Sequence, residues 1–425
     1  MKIAENLLNK VLFSYPDKTE RIVYLLLFLF PIAGMSVRHW ITNIFNLLVI
    51  ISLFTLSKPR TQLQKQEKIF LWICFFYFSM FIISSVANDW GRIQTYYLGT
   101  ELRFLMVIPL YLLLRRYPDC SIWLLYGSIL GGFILLAQAY YDVYYTDDQI
   151  AQGVYSKNII GPFSVLIGFW LSYLLWHYKV SLKRLTIFII SFSIISAFIT
   201  AGLSGSRGAY AGFIITGLAC ILFFSKPRWM IASLVLIIMS TYFSYHSSSI
   251  IKNGVDVAVK DFQLYIQADD HVNDKSSYTS TGVRLEMIRT SLILISNNPL
   301  IGIGPGNYSK YTQIIINNKT ASPALASYRH PHNVFIDAII AKGILGLISV
   351  LMLFYYPAII YIKQYKVKKV TAVIGLIHII AISVFSLTDH SVVLMNNYTS
   401  ILLLGIVIFF SEHTRNRKKY STSTT

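Results

Sequence analysis

The stretch from Ala326 to Leu347, ASYRHPHNVFIDAIIAKGILGL, sets basic and titratable side chains directly against a long apolar run. Arg329, His330 and His332 crowd its first part, and Asp337 and Lys342 recur inside the apolar part. Similar apolar runs repeat along the whole chain, and a helix of about 20 such residues crosses a bilayer. The chain is 55% hydrophobic and only 13% charged, with a mean hydropathy of +0.56. A soluble domain carries about 25% charged residues. The sequence therefore reads as an all-α polytopic membrane protein, and the question is why charge gathers at the mouth of a span.

Twelve spans are expected, at roughly 22–37, 40–56, 69–87, 96–114, 121–141, 158–177, 185–202, 208–225, 229–245, 340–362, 371–388 and 396–411. The first two are short enough for one of them to be re-entrant or strongly tilted. The organisation that follows is spans one to nine over 1–245, a loop domain over 246–331, spans ten to twelve over 332–411 and a tail over 412–425. The N-terminus lacks the small-residue cleavage site of a secretory signal. No internal repeat at a fixed period is visible.

The net charge of +18 could suggest nucleic acid, but the distribution excludes it. Most of the Lys and Arg residues fall in every second connection, such as Arg115–Arg116 and Lys179–Arg184, and near both ends of the chain. That is the positive-inside pattern, and it places both termini in the cytoplasm. The opposite face carries an acidic, aromatic loop, YYDVYYTDDQIAQGVYSKN, and the long segment 246–331, and loops this long usually carry function. Cys74, Cys120 and Cys220 have neither metal-site nor disulfide spacing. No metal constellation or nucleotide phosphate loop stands out, so no cofactor is expected.

Three motifs could carry chemistry on that face. In GLSGSRGAYAGF, glycines 202, 205, 208 and 212 flank Arg207 at a turn into a helix. Glycine lets backbone approach a ligand, a helix start favours an anion, and the guanidinium fork suits phosphate oxygens. Arg207 reads as a diphosphate clamp or, equally, as an arginine reaching lipid headgroups. Arg284 and Arg289 lie on a predicted helix through Leu285, Met287, Ile288, Leu292 and Ile295, with Thr281 as its cap. Taken alone, these two arginines read more readily as solvated loop residues. Finally, His332 begins a helix pattern behind Pro331, which keeps His330 extended, so the two imidazoles should point different ways. Either could take a proton from a hydroxyl or merely cap locally. Lys342 is expected to reach the interface. Glu101 and Arg103, in GTELRFLMV, are expected to pair or to line a cavity.

In their order, these motifs resemble the O-antigen ligase family of membrane glycosyltransferases. SGSRGAYAG precedes the largest outer loop, which contains GVRLEMIRTSLILISNNPLIGIGPGNY, and HNVFIDAIIAKGILG follows. The last is similar to a family pattern of His, Asn, nine residues, Gly, two residues and Gly, here His332, Asn333, Gly343 and Gly346. The resemblance spans about 200–347 by motif. It implies twelve transmembrane helices with a periplasmic loop domain over a cavity open to the outer leaflet. It also implies transfer of an oligosaccharide from undecaprenyl diphosphate to the lipid A–core in the bacterial inner membrane, without metal or ATP. Under it, Arg207 and Arg284 bind the diphosphate and His332 is the general base. His330, Arg289 and Asp389 are supporting candidates. The rivals are an O-antigen polymerase with the same donor, a protein O-glycosyltransferase, and a transporter of lipid-linked sugar.

Overall fold

The computed structural model describes residues 17–56, 62–147, 149–224, 227–247, 249–364, 369–388 and 396–415. Helix is the regular structure of these residues, with no strand among them. The helices are α1 (Lys18–Leu29), α2 (Trp40–Phe54), α3 (Lys65–Ala87), α4 (Arg92–Leu114), α5 (Cys120–Tyr145), α6 (Lys157–Tyr178), α7 (Arg184–Leu203) and α8 (Arg207–Phe224). They continue with α9 (Pro227–Ser247), α10 (Ser249–Gln267), α11 (Gly282–Asn297), α12 (Tyr308–Asn317), α13 (Val334–Gln364), α14 (Lys369–Thr388) and α15 (Asn396–Thr414). Among the described residues, 7 helices are long and apolar enough to cross a membrane, namely α3 to α7, α13 and α14. Helices α2 and α8 are apolar but shorter. The expected span 22–37 is only partly helical, because α1 stops at Leu29 and the chain turns through 30–39.

Lipid tails are as apolar as leucine, so burial alone does not hold such helices together, and close packing of small residues does. The GSILGG run of α5 serves this purpose. A Cβ on Gly127 would meet the Phe28 carbonyl oxygen at 1.9 Å, and one on Gly132 would meet Ser193 Oγ at 2.2 Å. These glycines set α5 against α1 and α7.

Connections at the two ends of the bundle are tied to one another. At one end, Val154 N–H donates to Met35 O at 2.9 Å, Ala151 N–H to Leu203 O at 2.9 Å, and Asn88 Nδ2 to Gly302 O at 3.2 Å. At the other end Tyr111 Oη meets Thr414 Oγ1 at 2.8 Å, and Ser121 N–H donates to Glu412 Oε1 at 2.6 Å. The basic connections 115–119 and 179–183 belong to this second end, and segment 246–331 belongs to the first.

That segment folds into α10 to α12 with small cores of its own, one built on Val283, Met287 and Leu325 and another joining Leu294, Ile303 and Tyr308 to Ile340 of α13. It docks on α13 where that helix breaks. Gly343 has φ 67° inside an otherwise continuous helix of 31 residues. The hydrogen bond expected from Ile344 N–H to Ile340 O is opened there. Ile344 N–H donates instead to Pro299 O at 2.9 Å, and Ile340 O accepts from Ile303 N–H at 2.8 Å. Ala341 O accepts from Gly304 N–H at 3.1 Å and from Ser84 Oγ at 2.7 Å. Ile344 N–H, Ile340 O and Ala341 O, freed by the break, are thus re-satisfied by the NNPLIGIGPG turn with help from Ser84, as a polar backbone inside a bilayer requires.

Two expectations about charge are corrected here. Lys342 does not reach the interface. It is 4% exposed, its Nζ lies 3.0 Å from Glu101 Oε1 of α4, and it sits 4.1 Å from the centre of the Tyr77 ring. Glu101 therefore pairs across helices rather than with its neighbour Arg103, whose guanidinium donates to Asn396 Oδ1 of α15. An ammonium buried on a span is costly without a countercharge, and Glu101 supplies it.

Candidate functional site

A cavity of about 270 Å³ opens at the end of the bundle that carries segment 246–331. Arg207, Arg284 and His332, drawn from three separate parts of the sequence, all line it. Lys157, Asn158 and Tyr398 line it too. Sequence reasoning missed these. Lys157 closes the acidic, aromatic loop, and a cation at a helix start was the signal that could have singled it out.

Each of these side chains is positioned by a helix start. Arg207 is the first residue of α8, and Gly205, at φ 62°, makes the left-handed turn that delivers it. Two other glycines of that motif face a helix rather than a ligand. A Cβ on Gly208 would meet Thr388 Oγ1 at 2.6 Å, and one on Gly212 would meet the Phe385 ring at 2.2 Å. They let α8 pack against α14, although Gly208 also borders the cavity.

Arg284 stands in the first turn of α11, as expected, but the helix presents a different face. Glu286, Met287, Thr290 and Ser291 are buried, while Leu292 is 63% exposed. The reason is Glu286, which accepts from Tyr265 Oη at 2.9 Å, Ser322 N–H at 2.9 Å and Arg289 at 2.6 and 2.8 Å. A buried carboxylate so fully hydrogen-bonded outranks apolar periodicity in choosing which face turns inward. Those hydrogen bonds to Glu286 raise the pKa of Arg289. Arg289 is committed to this network and is not part of the cavity lining. Thr281 occupies the cap position without capping, and its hydroxyl accepts from Arg207 Nη1 at 3.1 Å. A contact between the two arginine motifs replaces the cap.

The helix expected to begin at His332 begins at Val334. Asn333 caps it, its Oδ1 accepting from Phe335 N–H at 3.0 Å and Ile336 N–H at 3.1 Å, while its Nδ2 donates to Leu387 O at 3.2 Å. His332 precedes the cap in the left-handed region, at φ 50°. This turn brings the rings of His330 and His332 to 4.4 Å between centres, rather than pointing them apart. His332 borders the cavity and His330 is outside its lining. Asp389 lies outside the described residues.

The electrostatics are one-sided. The lining contains Lys157, Arg207 and Arg284 and, among the described residues, no carboxylate. Helices α6, α8, α11 and α13 all begin at the cavity. The first amides of a helix lack intrahelical partners, and the macrodipole is positive there. Cations and helix starts of the same sign converge on one space, an arrangement that suits a polyanion. An imidazole beside it can accept a proton from a hydroxyl brought to that anion.

Residues 192–351 match the family model described as O-antigen ligase. The match runs from within α7 through Arg207, Arg284 and His332 into α13. A protein of Haemophilus influenzae, described as uncharacterized, is 23% identical over 369 residues, covering 82% of this chain and 88% of its own length.

Proposed function

We propose that this chain, whose residues 192–351 match the O-antigen ligase family model, is the ligase, moving a finished O-antigen from undecaprenyl diphosphate to a sugar of the lipid A–core. The observation that supports this most is the meeting of Arg207, Arg284 and His332 in one cavity that, among the described residues, no carboxylate lines, at the end of a membrane bundle. Both substrates are anchored by lipid tails and present their phosphates and sugars at the membrane surface. Holding them together there replaces a bimolecular encounter.

In this mechanism Arg207 and Arg284 bind the donor diphosphate. The acceptor hydroxyl attacks the anomeric carbon as His332 takes its proton. The bond from that carbon to the phosphate oxygen breaks, and its electron pair leaves with undecaprenyl diphosphate. The arginines stabilise the charge that grows on that oxygen, a preorganised arrangement worth more in a water-poor site than in bulk. A single displacement of this kind inverts the anomeric centre. The basic connections lie at the end opposite the cavity, which by the positive-inside rule supports a cavity facing the periplasm; with it we propose twelve spans in the inner membrane and both termini cytoplasmic.

The test is transfer by the purified protein, supplied with undecaprenyl diphosphate-linked glycan, lipid A–core and EDTA, without ATP. A lipid A–core band shifted upward on a gel is the expected product. Longer glycan still attached to undecaprenyl diphosphate would instead identify a polymerase.

A further inference from the structure

We propose that Lys157 is the third phosphate-binding cation of this cavity and answers the negative charge that appears on the diphosphate as it leaves. The inference rests on the transfer reading above. Lys157 borders the same cavity as Arg207 and Arg284. It is the first residue of α6, the end of a helix where a cation is disfavoured and an anion favoured. Its ammonium pairs with no carboxylate among the described residues. Asp142, near the end of α5 where this loop begins, is already engaged. It accepts from Gln152 N–H at 2.8 Å, Gly153 N–H at 2.6 Å and Gln138 Nε2 at 2.7 Å. Asp142 therefore shapes the loop that delivers Lys157 without neutralising it. The next residue is fixed as well, since Asn158 accepts from Ser206 Oγ at 3.3 Å and from Tyr398 Oη at 3.1 Å through its carbonyl. The start of α6 is thereby tied to the turn carrying Arg207.

Charge counting gives Lys157 its role. A diphosphate joined to lipid at one end and sugar at the other carries two negative charges near neutral pH. Two arginines match them. When the sugar leaves, the electron pair of the broken bond stays on the phosphate and the lipid diphosphate gains a third negative charge. A third cation facing that charge favours the product side of bond breaking over the bound donor. Lysine suits this position, since a compact, mobile point charge can follow an oxygen whose charge is changing.

The experiment measures binding of undecaprenyl diphosphate and of undecaprenyl phosphate to the full-length protein in nanodiscs, for the native chain, Lys157→Gln and Lys157→Arg. Lys157→Gln should weaken the diphosphate about tenfold or more, the worth of one charge-assisted contact, and leave the monophosphate within about twofold. Lys157→Arg should restore most of the difference. In the transfer assay, Lys157→Gln should lower kcat far more than it raises KM for the donor. The thermal midpoint of lipid-free Lys157→Gln should be no lower than that of the native protein, because a cation at a helix start is removed. Equal weakening of both lipids, or no weakening, would overturn the role of Lys157 and leave the transfer reading standing. Native protein that binds neither lipid would overturn both.

Discussion

His332 occupies a backbone conformation that few non-glycine residues adopt, at φ 50°, and such positions cost about 1–3 kcal/mol. The surroundings hold it there. Pro331 restricts the residue before it, and Asn333 is pinned on its far side by capping α13 and by its bond to Leu387 O. Histidine placement is thus bought by the cap next door. Arg207 is held more lightly, by the Thr281 hydroxyl at 3.1 Å, which leaves its fork able to turn toward a ligand. Arg207→Lys keeps the charge and loses the fork, so donor affinity should fall about tenfold or more with little change in thermal midpoint. Unchanged donor affinity in that variant would make Arg207 a lipid-surface anchor. The three principal site residues were legible in the sequence because each stands in a short polar motif at the edge of an apolar run. Lys157 carries a weaker signal, a lone cation at a helix start on the acidic face, which is easily taken for one of the lysines that orient the protein.

Among the elements, α13 is the one whose form the sequence hid. Its apolar run was plain, but its full length of 31 residues and the break at Gly343 were not. A periodic pattern reports which residues can share a face. It does not report that Pro299–Gly304, distant in sequence, supplies partners for the carbonyls and amide that the break exposes. The same limit explains α11, whose helix was legible while its buried face was not, because the hydrogen-bonding partners that draw Glu286 inward come from α10 and residue 322. Gly343→Ala should be costly. The added Cβ would meet the Leu300 carbonyl oxygen at 2.0 Å, and alanine also resists φ 67°. Destabilisation of about 2 kcal/mol or more is expected, together with faster proteolysis within 299–304 as the turn lifts off. A variant as stable and as resistant as the native chain would show that α13 straightens without loss.

For the molecule as a whole, alternation of basic and acidic connections gave the two ends, and the hydrogen bonds between connections group them in the same way. What no pattern could give is pairing across helices, as between Glu101 and Lys342, which are separated by 241 positions. Removing either charge alone leaves the other stranded in the bundle, so Glu101→Gln or Lys342→Met should each cost about 3–5 kcal/mol. The double variant should recover most of that loss, which a double-mutant cycle in denaturant would read. Additive losses would mean that the pair is not coupled. The central claim is larger, that the cavity is where a hydroxyl gives up its proton and a lipid diphosphate departs. Its most direct test is single-turnover transfer by His332→Ala, with donor binding measured on the same preparation. The account predicts donor affinity within about twofold of native and transfer slower by about 100-fold or more, the span general base catalysis supplies. Transfer at the native rate by that variant would contradict it.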